Sequence, residues 1–122
     1  MGPPAAGTAD YLLKLERDMA SGFLHLLLLA TLRDDGPLHG YGLIKALGET
    51  TGRGLWKEGT IYPILGTLEG EGLVKSRWGE PKHGPRRKYY ELTSAGRQVL
   101  RVAIVQWKEF QSAVNGILEE TQ

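Results

Sequence analysis

The chain of 122 residues contains no cysteine, which excludes disulfides, zinc–thiolate clusters and thiol nucleophiles. It also lacks a charge excess, because 15 Lys and Arg residues stand against 14 Asp and Glu residues and leave a formal net charge of +1. Its longest nearly unbroken apolar run, residues 23–32, is about half as long as a membrane-spanning helix. The N-terminus lacks the basic-then-apolar order of a signal peptide. We therefore expect a cytoplasmic, globular protein with no membrane partner.

Histidine is scarce too. The three histidines are His25, His39 and His83, and none has a second histidine at i+3 or i+4 with which one helix could build a metal site. No glycine-rich phosphate loop lies between a predicted strand and a helix. We expect neither a metal nor a cofactor, and an enzyme is the least favoured class of function.

Glycine, by contrast, is abundant and unevenly placed. Of the 17 glycines, 12 lie between Gly36 and Gly84. Glycine interrupts regular elements, so the middle of the chain is predicted to consist of short pieces and the ends of longer ones.

Apolar side chains at helical spacing predict two helices before this glycine-rich middle. The first contains Leu12, Leu15 and Met19 and is interrupted at Gly22. The second spans about residues 21–34, and its apolar residues cover nearly its whole circumference. We expect this second helix to be buried on most sides.

Two further helices are predicted in the middle of the chain. One spans residues 39–51, and the other spans about residues 59–70. Proline is tolerated in a helix only near its first turn. Pro63 therefore places the start of the latter helix around residues 58–60.

The period then changes to that of a β-hairpin. Residues 73–78 and 88–92 alternate like strands, and residues 79–87 between them are rich in Gly and Pro. Helical spacing returns at Thr93 and continues for some 25 residues.

This order of elements predicts a mainly α fold with a β-hairpin, the winged helix-turn-helix, in which one helix enters the DNA major groove and the wing lies along the backbone. We assign residues 1–20 to an N-terminal leader and helix, residues 21–92 to the winged helix, and residues 93–122 to a C-terminal dimerisation helix.

Charge is segregated along the chain. Residues 73–92 carry six basic and two acidic side chains, a net charge of +4, whereas residues 1–72 have a net charge of −3. A basic hairpin tip suits contacts with DNA phosphates. The alternative is a solvated loop that protects an edge hairpin from aggregation.

The last predicted helix carries an apolar stripe, which no later segment of the chain covers. A homodimer in which this helix packs against the partner's first and last helices would bury the stripe, whereas the alternative is a helix that packs within its own chain. The predicted dimer residues are Leu12, Leu15, Leu100, Ala103, Trp107, Phe110, Val114 and Ile117.

Four segments of the sequence resemble the motifs of one known family. Residues 36–45 (GPLHGYGLIK) resemble its GPLHGYEIIK stretch, and residues 56–63 (WKEGTIYP) resemble W-x-x-x-GTLYP. Residues 68–74 (LEGEGLV) resemble LEEEGLI, and residues 84–96 (GPRRKYYELTSAG) resemble GPxRKYYxLTxxG. The four segments occur in the family's order, and the sequence therefore resembles the PadR family of bacterial transcriptional regulators.

The resemblance implies a recognition helix that starts at Gly59 and Thr60 and presents Tyr62 to DNA. This sequence departs from the family pattern at Gly66 and Thr67, where the family commonly has a basic pair. The wing is therefore expected to make more of the phosphate contacts. Of the two wing tyrosines, one is expected to be core. The predicted DNA-contacting residues are His39, Tyr41, Lys45, Lys57, Thr60, Tyr62, Thr67, Lys82, His83, Arg86, Arg87 and Lys88.

The single C-terminal helix resembles the small branch of the family that includes multidrug-sensing repressors. In that branch a tryptophan on the last helix pairs with its dimer mate around a pore for flat aromatic compounds, and Trp107 matches that position. The implied effector-binding residues are His25, Leu26, Ile104, Trp107 and Gln111. The alternative is that Trp107 only packs the dimer.

We therefore predict a PadR-like, homodimeric transcriptional repressor that binds double-stranded operator DNA and is released by a planar aromatic small molecule. The alternative is a winged-helix adaptor that binds protein and makes no direct DNA contact.

Overall fold

The computed structural model describes residue 2 and residues 6–51, 56–80 and 84–119. Within these ranges it has four helices and a small antiparallel sheet, which confirms the predicted fold class. In chain order the elements are α1 (Ala6–Asp35), β1 (Leu38–His39), α2 (Gly40–Thr51), α3 (Glu58–Gly70), β2 (Val74–Trp78), β3 (Lys88–Leu92) and α4 (Ser94–Leu118).

The prediction of two separate N-terminal helices is wrong, because α1 is a single helix of 30 residues. Gly22 lies exposed in its middle. A glycine inside a helix costs about 1 kcal/mol relative to alanine but removes no backbone hydrogen bond. Leucines on the C-terminal side of Gly22 anchor the helix in the core, so this cost does not break it.

The predicted bounds of α3, the hairpin and α4 are confirmed. Helix α3 begins at Glu58, with Lys57 in extended conformation at its N-cap. Pro63 is the sixth residue of α3 and thus lies in its second turn. Proline donates no hydrogen bond to the carbonyl four residues earlier, which here belongs to the exposed Gly59.

The sheet has the order β1-β3-β2, with both pairs antiparallel. The β2–β3 hairpin is the predicted wing. Strand β1 was not predicted: it has two residues, and Leu38 and His39 pair with Tyr90 and Tyr89. It ties the segment before α2 to the return strand of the wing.

One apolar core joins all four helices to the sheet. Its buried side chains are Leu24, Leu28, Leu29, Leu32, Leu43, Leu47, Trp56, Ile61, Leu65, Leu68, Val74, Tyr90, Leu92 and Leu100. The burial of Tyr90 confirms that one wing tyrosine is core. Leu100 is 1% exposed, so it contacts its own chain and has no surface to offer a partner, which corrects its assignment to the dimer interface.

In the part of the chain that the structure describes, no helix combines the length and apolar character needed to cross a bilayer. Among the same residues, no three His, Asp or Glu side chains come together in a way that could hold a metal ion.

Helix α4 starts in close contact with the beginning of the wing. The hydroxyl of Thr93 accepts the backbone N–H of Gly96 at 3.0 Å and donates to the carbonyl of Gly72 at 2.7 Å. A methyl group at Gly96 would overlap the carbonyl oxygen of Leu73 and lie 3.0 Å from its carbonyl carbon. Only glycine therefore lets the helix approach this closely.

We predict that Gly96→Ala lowers the free energy of unfolding by about 1–3 kcal/mol, because a backbone carbonyl cannot move aside as a side chain would. Urea unfolding followed by circular dichroism measures this change. The matched control is Gly116→Ala in the same helix, where a methyl meets no atom within 4 Å. That control is expected to gain up to about 1 kcal/mol, and an equal gain for Gly96→Ala would contradict the prediction.

Candidate nucleic-acid interface

Helix α3 has one buried and one exposed face. Ile61, Leu65 and Leu68 are buried in the core, whereas Thr60 and Tyr62 are exposed, Tyr62 by 43%. This separation follows from the 3.6-residue period of the helix. Thr60 and Tyr62, two of the residues predicted to contact DNA, are therefore accessible to a partner.

Two arginines extend from the described part of the wing. The Nε of Arg86 donates to the carbonyl of Gly79 at 3.2 Å, and its guanidinium lies 5.9 Å from the ring centroid of Trp78. Nη1 of Arg87 lies 2.9 Å from Nε2 of His39. Both arginines remain exposed, so they keep their charge at the surface while neighbouring groups orient them.

His39 joins the wing to the start of α2. Its ring lies edge-on to Tyr89, with ring centroids 5.4 Å apart, and stacks with Tyr41 at 6.3 Å. The backbone N–H of Gly42 approaches its Nδ1 at 3.0 Å. A neutral imidazole has one acceptor nitrogen and a protonated one has none, so Gly42 and Arg87 are alternative donors and both require the neutral ring.

The pKa of His39 is lowered from its ordinary value, first because the ring is partly buried and second because Arg87 carries a positive charge beside it. Both causes disfavour the imidazolium. His39 therefore contributes a neutral, oriented ring to this surface rather than a cation.

Lys88 points toward α3 rather than away from the molecule. Its Nζ lies 3.7 Å from Oε1 of Glu69, and the hydroxyl of Ser76 donates to the other carboxylate oxygen of Glu69. Burial raises the pKa of the Tyr90 phenol, and the charge of Glu69 adds to that shift. Glu69 thus ties both wing strands to the last turns of α3 and neutralises part of the charge of Lys88.

Two clefts flank α3, one of about 440 Å³ and one of about 610 Å³. Several of the predicted DNA-contacting residues line one or the other. The larger one lies between α3 and the wing and is lined by His39, Tyr41, Glu58, Tyr62, Trp78, Arg86, Arg87, Lys88 and Tyr90. The smaller one lies between α3 and α1 and includes Lys57 and Thr60. Six sequence-predicted DNA-contacting residues thus meet in the larger cleft: His39, Tyr41, Tyr62, Arg86, Arg87 and Lys88.

The remaining predicted DNA-contacting residues lie elsewhere. Lys45 is exposed on α2, and Thr67 is exposed on α3, where its hydroxyl donates to the carbonyl of Pro63 at 3.2 Å. Lys82 and His83 lie outside the described residues.

Trp78 was missed by the sequence prediction. It is 57% exposed at the end of β2 and lines the cleft between α3 and the wing. The two-residue period of the strand could have indicated its position. Trp78 lies on the same face of the strand as Ser76 and the buried Val74, and it therefore faces α3.

The predicted effector residues lie on α1 and α4, two helices that pack against each other. Leu26 and Ile104 pack on the core cluster, and His25 and Gln111 are exposed. Trp107 is partly buried and meets Phe23 edge-on, with ring centroids 4.6 Å apart. The sequence prediction missed Phe23, although its place in the apolar run of α1, four residues before Leu27, marked it as a packing residue.

The predicted dimer residues differ in exposure. Leu12 and Leu15 of α1 are 46% and 36% exposed, and Phe110 and Ile117 of α4 are 60% and 83% exposed. Ala103, Trp107 and Val114 are partly buried within the chain.

The chain is similar to known transcriptional regulators in both sequence and fold. Residues 28–102 match the sequence model of the Transcriptional regulator PadR-like family. The structure of a PadR family transcriptional regulator from Eggerthella lenta DSM 2243 is 32% identical, with a TM-score of 0.85 over 96% of this chain and 100% of that chain. A PadR-like transcription factor from Bacteroides fragilis is 33% identical, with a TM-score of 0.68 over 85% and 98%. A transcriptional regulator from Clostridium thermocellum is 28% identical, with a TM-score of 0.74 over 84% and 99%.

We predict that the free energy of unfolding falls as the pH drops below about 6.5, the ordinary pKa of histidine. Because the pKa of His39 is lowered in the folded state, the native protein binds fewer protons there than the unfolded chain, so stability rises with pH across that window. Urea titrations at several pH values measure this change.

The variant His39→Asn is expected to lack this part of the pH dependence. Arg87→Ala removes the positive charge beside the ring and is expected to raise the pKa of His39, which an NMR titration of the imidazole protons measures. An unchanged pH dependence in His39→Asn would contradict the prediction.

Proposed function

The chain belongs to the PadR-like family of transcriptional regulators, whose members are regulators and not enzymes, and from this membership we propose that it is an operator-binding repressor. In this proposal a homodimer holds double-stranded DNA and releases it when a planar aromatic molecule binds. The observation that carries the proposal is the cleft between α3 and the wing, where Tyr62, Arg86 and Arg87 stand exposed together.

DNA contact is divided between α3 and the wing. Helix α3 contains two glutamates and no lysine or arginine, so it reads base edges in the major groove with neutral groups such as Thr60 and Tyr62. The wing supplies the cations for the phosphates through Arg86 and Arg87.

Exposed apolar surface supports the homodimer. The first half of α1 and the outer face of α4 carry large apolar side chains that the single chain leaves in water. They include Tyr11, Leu12, Leu13, Leu15, Met19, Val102, Phe110 and Ile117. Large apolar side chains exposed in such number mark an interface, and a two-fold dimer presents two recognition helices to half-sites about one DNA turn apart.

The effector proposal rests on the contact between α1 and α4. Trp107 and Phe23 already form an aromatic pair at the edge of the proposed dimer interface, and such rings stack with planar compounds. A ligand that favours a different spacing of the two recognition helices would lower the population of the DNA-binding dimer.

We predict that the double variant Arg86→Ala/Arg87→Ala binds all DNA sequences more weakly. The slope of log K against log salt is expected to become shallower by about 0.9 for each phosphate that the variant no longer neutralises. Fluorescence anisotropy with labelled duplexes at several salt concentrations measures both effects.

The matched control is Arg101→Ala/Lys108→Ala, which removes two exposed charges from α4 and is expected to leave the slope unchanged. Equal slopes for wild type and the wing variant would contradict the assignment of phosphate contacts to Arg86 and Arg87. If wild type shows no salt-dependent DNA binding, the adaptor function takes its place.

We predict that planar aromatic compounds quench Trp107 in a saturable manner. The titration uses 9-aminoacridine and 2-naphthoate in a Trp78→Phe background, because Trp78 is exposed and would be quenched at random. Sedimentation equilibrium on the same samples is expected to give the mass of two chains. Adding Trp107→Ala is expected to abolish the saturable quenching, and equal quenching in both variants leaves Trp107 a packing residue only.

A further inference from the structure

The tyrosine of the recognition helix rests on the backbone of another helix. Gly40, the first residue of α2, is buried. A methyl group at Gly40 would overlap the hydroxyl oxygen and Cζ of Tyr62 and would lie 2.6 Å from its Cε1. The outer edge of the Tyr62 ring therefore occupies the space that any side chain at position 40 would need.

This contact controls where the Tyr62 hydroxyl points. The side chain leaves α3 on its exposed face and remains 43% exposed, so α3 alone leaves several rotamers open to it. Contact with Gly40 selects the rotamer in which the ring leans on the start of α2. A larger residue at position 40 would exclude that rotamer and swing the hydroxyl away.

The residue before Gly40 extends the same junction to the wing. His39 pairs with Tyr89 in the sheet and contacts Arg87. The two consecutive residues His39 and Gly40 thus touch the wing and the recognition helix, respectively. This short segment therefore adds a link between the two DNA-facing elements to the one that Glu69 makes.

We propose that Gly40 is a positioning residue for sequence recognition: its missing side chain holds the Tyr62 hydroxyl in the direction needed to bond a base edge. The inference rests on the proposed DNA-binding function. It distinguishes Gly40 from the arginines of the wing, because Gly40 affects discrimination between sequences, whereas the arginines affect affinity for any DNA.

The test compares two duplexes: the one that wild-type protein enriches from a random-sequence library, and a scrambled duplex of the same length. Gly40→Ala is expected to bind the enriched duplex about tenfold or more weakly, the range of one base contact. Its affinity for the scrambled duplex and its salt slope are expected to stay unchanged. Gly48→Ala is the matched control, because a methyl there meets no atom within 4 Å in the same helix.

A second pair of variants separates positioning from a loss of folding. Tyr62→Phe keeps the ring on Gly40 but removes the hydroxyl, and it is expected to lose the same discrimination. In a Tyr62→Ala background the overlap is absent, so adding Gly40→Ala is expected to cost nothing further. Thermal unfolding of each variant accompanies the binding data.

The inference is overturned if Gly40→Ala discriminates as well as Gly48→Ala, if Tyr62→Phe retains full discrimination, or if Gly40→Ala weakens binding equally without Tyr62. If wild-type protein enriches no duplex, the proposed function itself fails and takes this inference with it. If wild type and Gly48→Ala discriminate and Gly40→Ala also does, only the role of Gly40 fails.

Discussion

The structure depends on the burial of one leucine-rich segment, the second half of α1. Leu24 and Leu28 have no exposed surface, and Leu29 and Leu32 have 3%. A buried leucine side chain stabilises a fold by about 1.5–3 kcal/mol. Helix α1 packs against α2, α4 and β3, so the first helix of the helix-turn-helix, the return strand of the wing and the C-terminal helix are all positioned against it. Helix α3 packs in turn against α2 and β2.

The sequence predicts most of the fold because its signals for turns and loops are local. Glycine and proline mark the loops, and the change of period at residue 73 marks the wing. Two features escaped prediction. Strand β1 has only two residues, which is too short to show a period. The continuity of α1 through Gly22 depends on tertiary packing, which outweighs a helix propensity of about 1 kcal/mol.

The candidate site is harder to predict, because its contacts join residues far apart in the chain. Resemblance named Tyr62 and Arg87 but not what orients them. The contact of Tyr62 with Gly40 and that of Arg87 with His39 arise only when α2, α3 and β3 are packed together. Leu100 shows the same limit, because helical spacing identifies an apolar stripe without identifying what covers it. Leu100 is covered by the core of its own chain.

The unbroken course of α1 has a mechanical consequence. Thirty residues of helix span about 45 Å at 1.5 Å per residue. One half is embedded in the DNA-facing domain, whereas the other projects with its leucines exposed. A helix of this length acts as a lever: a tilt of about 5° at the embedded half displaces the far end of the projecting half, about 22 Å away, by about 2 Å. Small rearrangements on one side of the molecule are therefore amplified on the other.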